Sequence, residues 1–161
     1  MKNEAEAGRA LEKHADTVRR VCFMHLKNFS DMEDVFQEVF LKFLIHDRPF
    51  ESDDHERAWL IRVAINACKD ITKSFFKRKV TSLEDVDVEP FYIQEEDKGV
   101  LDAVLRLPEN YKDCIYLYYY EGYTAVEIAK ILGKRENTIY TWLSRAKAKL
   151  KDALGGEYYD G

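Results

Sequence analysis

Little in this sequence breaks a helix or staples a fold. Three prolines and seven glycines in 161 residues leave few turns. Alternating apolar and polar runs are also scarce, which excludes a β architecture built on frequent reversals. The three cysteines, Cys22, Cys68 and Cys114, are far apart and form no CxxC pair. Such a set excludes a disulfide framework and a thiolate zinc site, and the three are expected to be small buried apolar groups. No apolar run approaches the roughly 20 residues of a membrane helix. The N-terminal MKNEAEAGRALEKH has no signal-peptide core, so the chain is expected to stay in the cytoplasm without direct membrane insertion. Nor is there a glycine-rich phosphate loop, and His14, His25, His46 and His55 fall into no nucleophile or metal-ligand spacing. The chain is therefore read as a non-enzyme with no cofactor and no metal. Its nearest approach to a cation site, Asp53-Asp54-His55-Glu56, is four adjacent residues, and adjacent side chains seldom converge on one ion.

What is present is charge, unevenly placed. Residues 81–97 hold seven acids (Glu84, Asp85, Asp87, Glu89, Glu95, Glu96, Asp97) and no base. Removing those carboxylates takes the net charge from −5 to +2. Between Lys134 and Lys151 six basic residues face only Glu136. An acidic chain that gathers positive charge on one short segment points to a polyanionic partner.

The periodicity predicts helices throughout. One is expected over residues 8–27, with Leu11, Val18, Val21, Cys22 and Leu26 on one side. Ser30 or Asp31 can cap a second, along which Val35, Phe36, Val39, Phe40, Phe43 and Leu44 recur at helical spacing. The polar loop HDRPFESDDHE interrupts the pattern, and a third helix is expected over residues 57–76 with Leu60, Val63, Ala64, Ala67 and Ile71 inward. The acidic stretch breaks periodicity and reads as a linker. Beyond it Val100, Leu101, Val104 and Leu105 restart the pattern, Pro108 suits a first helical position and Gly122 a helix stop. The fold class is all-α: two small helical domains, residues 8–80 and 98–154, joined by the acidic linker 81–97.

Thr124-Ala125-Val126-Glu127 has the form of a capping box. The short helix it opens buries Ile128, Ile131 and Leu132, and Gly133 supplies a tight turn. The next helix aligns Ile139, Leu143, Ala146 and Leu150 on one stripe and carries Asn137, Tyr140, Thr141, Ser144, Arg145 and Lys147 elsewhere. This is the pattern of a helix-turn-helix, in which Arg and Lys neutralise phosphates while Asn, Thr, Ser and Arg meet base edges. A plain helical hairpin with a solvated basic face is the alternative.

At this point a resemblance adds to the residues. LPENYKDCIYLYYYEGYTAVEIAKILGKRENTIYTWLSRAKAKLK resembles region 4 of bacterial sigma factors, the domain that binds the promoter's minus-thirty-five element. DMEDVFQEVFLKF resembles region 2.2, and ERAWLIRVAINACKDITK resembles regions 2.3 and 2.4. Two motif sets in the family's order, without regions 1.1 and 3, are similar to the extracytoplasmic-function (ECF) group of the sigma-70 family. The resemblance implies a factor that binds core RNA polymerase and directs promoter-specific initiation. It implies as partners the polymerase β′ clamp and β flap, promoter DNA and an anti-sigma factor.

Residue by residue, the resemblance places Asp34, Gln37, Glu38 and Phe40 on the clamp, with a solvated helix face as the plainer reading of Gln37 and Glu38. It sets Phe50 in the loop that captures a flipped base of the minus-ten element, Asn66 on the flanking helix and Trp59 in the melting segment. Arg62 would help hold the DNA backbone there, and Lys69, Lys73 and Lys77 make the helix end beside it basic and suited to the minus-ten DNA. An aromatic and an amide beside a basic helix end suit stacking and hydrogen bonding to an unpaired base. Trp59 has core packing as its other reading, and Asn66 a cap or bridge between helices. Arg135, Asn137, Thr138, Tyr140, Thr141, Ser144, Arg145 and Lys147 would face the minus-thirty-five element, while Trp142 stands where the family often has a basic residue. The linker would thread the polymerase cleft, where carboxylates suit a positively charged channel, or else serve as a solvated tether.

The sequence departs from the family pattern in three places. Arg135 stands where a capping serine is common, the loop from Glu51 to Glu56 is acidic for a surface near DNA, and Tyr116, Tyr118, Tyr119, Tyr120 and Tyr123 crowd one helix and turn. Two rival functions remain: a helix-turn-helix regulator that binds DNA without polymerase, and an interaction protein that occupies polymerase without initiating.

Overall fold

The computed structural model describes residues 1–76 and 98–155, which fall into two compact units. The acidic linker, Lys77 and the ends set for the first domain and the linker lie outside the described residues. Among the described residues every regular element is helical, and no helix is long and apolar enough to cross a membrane.

The first unit is a three-helix bundle of α1 (Glu4–His25), α2 (Phe29–Ile45) and α3 (Asp53–Phe76), each packed on the other two. Its start is four residues earlier than the periodicity suggests, because Asn3 and Glu6 close a capping box. The inward stripe of α1 runs Ala10, His14, Thr17, Val18, Val21, Cys22, and Leu11, expected inside, is 39% exposed. Helix α2 is capped by Asn28, not by Ser30 or Asp31: its Oδ1 accepts the Asp31 amide at 2.7 Å. Helix α3 begins at Asp53, so Asp53, Asp54 and Glu56 are its first turn, where acids answer the positive end of the helix dipole. Leu60, Ile61, Ala64, Ile65, Ala67 and Cys68 form its buried side, leaving Val63 and Ile71 half-buried. Leu60, Ile61 and Ile65 of this set each contribute about 1.5–3 kcal/mol by their burial.

Between α1 and α3 lies a buried polar pair. His14 is 4% exposed, and its Nε2 is 3.8 Å from Glu56 Oε1. Burial lowers the imidazole below its ordinary 6.5, and Arg57 and Lys13 add to this, outweighing the opposite pull of Glu56 and Asp53. Folding thus favours the neutral ring, so His14 contributes stability above 6.5 that is lost as pH falls from there through the folded value. Melting of the full chain between pH 7 and pH 5 is expected to show a drop that His14→Gln flattens. An unchanged slope in that variant would remove His14 as the cause.

The second unit contains α4 (Lys98–Leu105), α5 (Glu109–Ile115) continued by a π-helical turn at Tyr116–Tyr120, α6 (Ala125–Leu132) and α7 (Glu136–Leu154). Pro108 is the cap residue before α5, one position earlier than anticipated. Helices α4, α5 and α6 all pack on α7. The five crowded tyrosines divide: Tyr116 and Tyr123 are buried, while Tyr118, Tyr119 and Tyr120 are exposed. Buried Glu121 accepts the Tyr116 hydroxyl. All three cysteines are free and buried.

Candidate functional site

The second unit presents a helix-turn-helix. Thr124 Oγ1 accepts the Glu127 amide at 3.2 Å and Glu127 accepts the Thr124 amide at 3.0 Å, completing the capping box that opens α6. Gly133 ends α6 at φ 66°, a conformation without penalty only for glycine. Helix α7 then buries Ile139, Leu143, Ala146 and Leu150. By helical spacing Asn137, Thr141, Ser144 and Ala148 lie opposite that stripe, flanked on one side by Tyr140 and on the other by Arg145, and all six are exposed.

The eight residues assigned to the minus-thirty-five element do not all share this face. Thr138 and Lys147 are half-buried at its edges. The Lys147 ammonium lies 5.5 and 5.6 Å from the ring centres of Tyr118 and Tyr119, a cation–π arrangement from the π-helical turn that periodicity does not disclose. Trp142 is half-buried as well. Thr141 Oγ1 donates to the Asn137 carbonyl at 3.0 Å, one turn back along α7. Arg135 is the N-cap of α7 and makes no side-chain cap bond. Arg135→Ser is therefore expected to raise stability by about 0.5–1 kcal/mol and to lower the salt slope of DNA binding by about one. Calorimetry of the full chain and titrations at several salt concentrations read the two effects; a destabilised Ser variant with an unchanged slope contradicts both.

In the first unit, Trp59, Arg62, Asn66, Lys69 and Lys73 recur at alternating intervals of three and four on α3, opposite its buried side. Arg62, Asn66 and Lys73 are exposed, and Trp59 and Lys69 half-buried. Phe50, in the loop before α3, stacks parallel to His46 at 5.0 Å and to Phe43 at 6.1 Å, with Trp59 at 5.6 Å and the edge of His55 at 5.3 Å. Trp59 also meets Phe43 and His46, so it combines packing with a place at the head of the stripe. Desolvation first, then the charges of Lys2 and Arg48, hold the His46 imidazole below its ordinary value and keep a neutral ring in the stack.

Two acids at the start of α3 have separate partners. Asp53 is bonded to Lys13 at 2.8 Å, a pairing that lowers its carboxyl, and Glu56 is buried against His14. His55 Nδ1 accepts the Glu51 amide at 3.1 Å. Among the described residues no group of three or more His, Cys, Asp or Glu side chains could hold a metal ion.

On α2, Asp34, Gln37 and Glu38 are exposed on one face. Phe40, assigned to that face by the resemblance, is turned inward: it is 8% exposed, 4.8 Å from Phe36 and 6.3 Å from Phe43. The apolar members of the outer face are Leu41 and Ile45, 60% and 59% exposed.

Comparison with known proteins follows the same division. Residues 10–79 match the family described as Sigma-70 region 2, and residues 98–150 the family described as Sigma-70, region 4. The chain is similar to the ECF RNA polymerase sigma factor SigM of Bacillus subtilis (strain 168), 33% identical over 129 residues covering 74% of this chain and 77% of that one. It is similar to the ECF RNA polymerase sigma factor BldN of Streptomyces coelicolor, 32% identical over 162 residues covering 94% of this chain. The chain spans only 61% of BldN's length. Among solved structures, the sigma factor RpoE in complex with the anti-sigma factor NepR from Bartonella quintana has the same fold. Its TM-score is 0.75 at 20% identity, over 93% of this chain and 97% of that one.

Proposed function

We infer, from a chain that belongs to the sigma-70 family of RNA polymerase sigma factors and to its ECF group, that it binds core RNA polymerase and directs it to promoters. The observation that carries this reading is the pairing of a region 2 bundle with a region 4 helix-turn-helix in one chain. A regulator acting on DNA alone has no use for the outer face of α2. In this reading residues 8–80 form the region 2 domain, 81–97 the tether and 98–154 the region 4 domain. The face of α7 around Asn137, Thr141, Ser144 and Arg145 reads the minus-thirty-five element. The stripe Trp59, Arg62, Asn66, Lys69 and Lys73, with Lys77 beyond it and Phe50 beside it, receives the melted minus-ten strand.

The work is done by binding energy without covalent chemistry. Basic side chains replace counterions on phosphates, and aromatic groups recover part of the stacking lost when a base leaves the duplex. Outer residues of α2 meet the β′ clamp, and the region 4 domain meets the β flap. An anti-sigma factor is a further proposed partner, since the structural neighbour RpoE was solved with one.

Run-off transcription by purified core polymerase on a genomic fragment library, with and without the chain, tests this. New transcripts that share an upstream pair of motifs are the expected result. A chain that neither binds core nor directs any start overturns the reading.

A further inference from the structure

Helix α2 ends without the glycine that commonly closes a helix. His46 follows it in an extended conformation, φ −71° and ψ 119°, and its amide reaches only the Phe43 carbonyl at 3.2 Å. The last carbonyls of a helix need partners from outside it. One residue from a distant part of the chain supplies two of them and that of the cap residue. The Lys2 amide donates to the Leu44 carbonyl at 2.9 Å. The Lys2 ammonium donates to the Phe43 carbonyl at 2.8 Å and the His46 carbonyl at 2.6 Å. It also sits 4.4 Å from the centre of the Phe43 ring and 5.7 Å from that of Phe50. A cation at this point faces the negative end of the α2 dipole and the faces of two rings together.

Phe43 and His46 are also the residues on which Phe50 stacks. The two rings stacked parallel to Phe50, among its four aromatic neighbours, are thus anchored through their own carbonyls by a single ammonium. The bundle does not depend on that anchor, because Lys2 precedes α1 and the α2 core of Val35, Val39 and Phe43 is buried against the other helices. What depends on it is the setting of the loop.

We propose that Lys2 is a positioning residue for the loop between α2 and α3, holding Phe50 in the geometry that receives an unpaired promoter base. This rests on the reading of the loop as the base-capture element. Charge-assisted hydrogen bonds contribute more than neutral ones. Without them the end of α2 and the loop open locally, and the captured base loses a preorganised surface.

The test uses the full chain with core polymerase on a duplex promoter, reading the open fraction by permanganate oxidation of unpaired thymines. Lys2→Met keeps the apolar stem and removes the ammonium; Lys2→Arg keeps charge and donors. Lys2→Met is expected to lower opening about fivefold with core affinity unchanged, and Lys2→Arg to restore most of it. Adding Lys2→Met to Phe50→Ala is expected to cost nothing further, since the two act through one contact. Native opening by Lys2→Met beside a defective Phe50→Ala overturns the proposal and leaves the loop reading intact. A Lys2→Met loss that appears equally in core affinity overturns it too, making Lys2 a general stabiliser. Native opening by Phe50→Ala removes the loop reading and the proposal with it.

Discussion

Leu41→Arg is expected to weaken association of the chain with core RNA polymerase by about a hundredfold, the scale of losing one interface hot spot. The outer face of α2 is unusual in carrying Leu41 and Ile45 at more than half exposure, one and two turns beyond Asp34, Gln37 and Glu38. A helix that has already buried Val35, Val39, Phe40 and Phe43 has no need of these two for folding. Apolar anchors rimmed by acids form the composition of a protein-binding patch, and arginine removes its apolar character and offsets its negative charge. Because Leu41 is exposed, stability is expected to change by no more than about 0.5 kcal/mol. Anisotropy titration of labelled chain with core, alongside a melting curve, separates the two effects. Phe40→Ala is the contrasting variant: it opens the aromatic cluster of Phe36, Phe40 and Phe43 and is expected to cost about 3–5 kcal/mol of stability. Native core affinity in Leu41→Arg would exclude this face as the clamp contact.

Much of this was legible in the sequence, and the reasons for the rest are specific. The α6–α7 motif could be read residue by residue because its signals are local: Thr124 to Glu127, Gly133, and the stripe from Ile139 to Leu150. Local hydrogen bonds and a 3.6-residue period leave direct traces in adjacent letters. Along α1 the expected stripe holds at Val18, Val21, Cys22 and Leu26 but not at Leu11, because His14 and Thr17 take inward places that an apolar count does not assign to polar residues. The start of α3 was missed because Asp53-Asp54-His55-Glu56 looks like a loop until its acids are recognised as a first helical turn. Phe40 fell on the apolar face by periodicity and on the partner face by resemblance, and the structure follows the periodicity. The contacts of Lys2 and of Lys147 left no trace in the patterning. Lys2 acts across 41 and 44 residues of sequence, and Lys147 meets two rings of a π-helical turn whose i→i+5 bonding the α-helical pattern does not anticipate. Long-range contacts of single polar residues are the part of a fold that patterning does not encode.

Arg145→Ala is expected to lower binding of the polymerase-bound chain to its promoter by about 10- to 100-fold, the range for losing one bidentate base contact. Arg145 is exposed beside Thr141 and Ser144, outside the buried stripe, so the variant keeps the fold of α7. The guanidinium fork matches the O6 and N7 acceptors of guanine, whereas a lysine ammonium offers a point charge to a phosphate. The two roles differ in what they do to sequence preference. Arg145→Ala is expected to flatten discrimination at one base pair of the minus-thirty-five element and leave the others as they were. Lys149→Ala, exposed farther along the same helix, is expected to weaken every promoter equally and reduce the salt slope by about one. Lys147→Ala belongs to neither class, since its ammonium is engaged by Tyr118 and Tyr119; its effect is expected on the setting of the π-helical turn. Binding of each variant to a set of single-base promoter changes, at two salt concentrations, sorts the three. A uniform loss in Arg145→Ala would make it a phosphate contact and move direct readout to Asn137, Tyr140, Thr141 and Ser144.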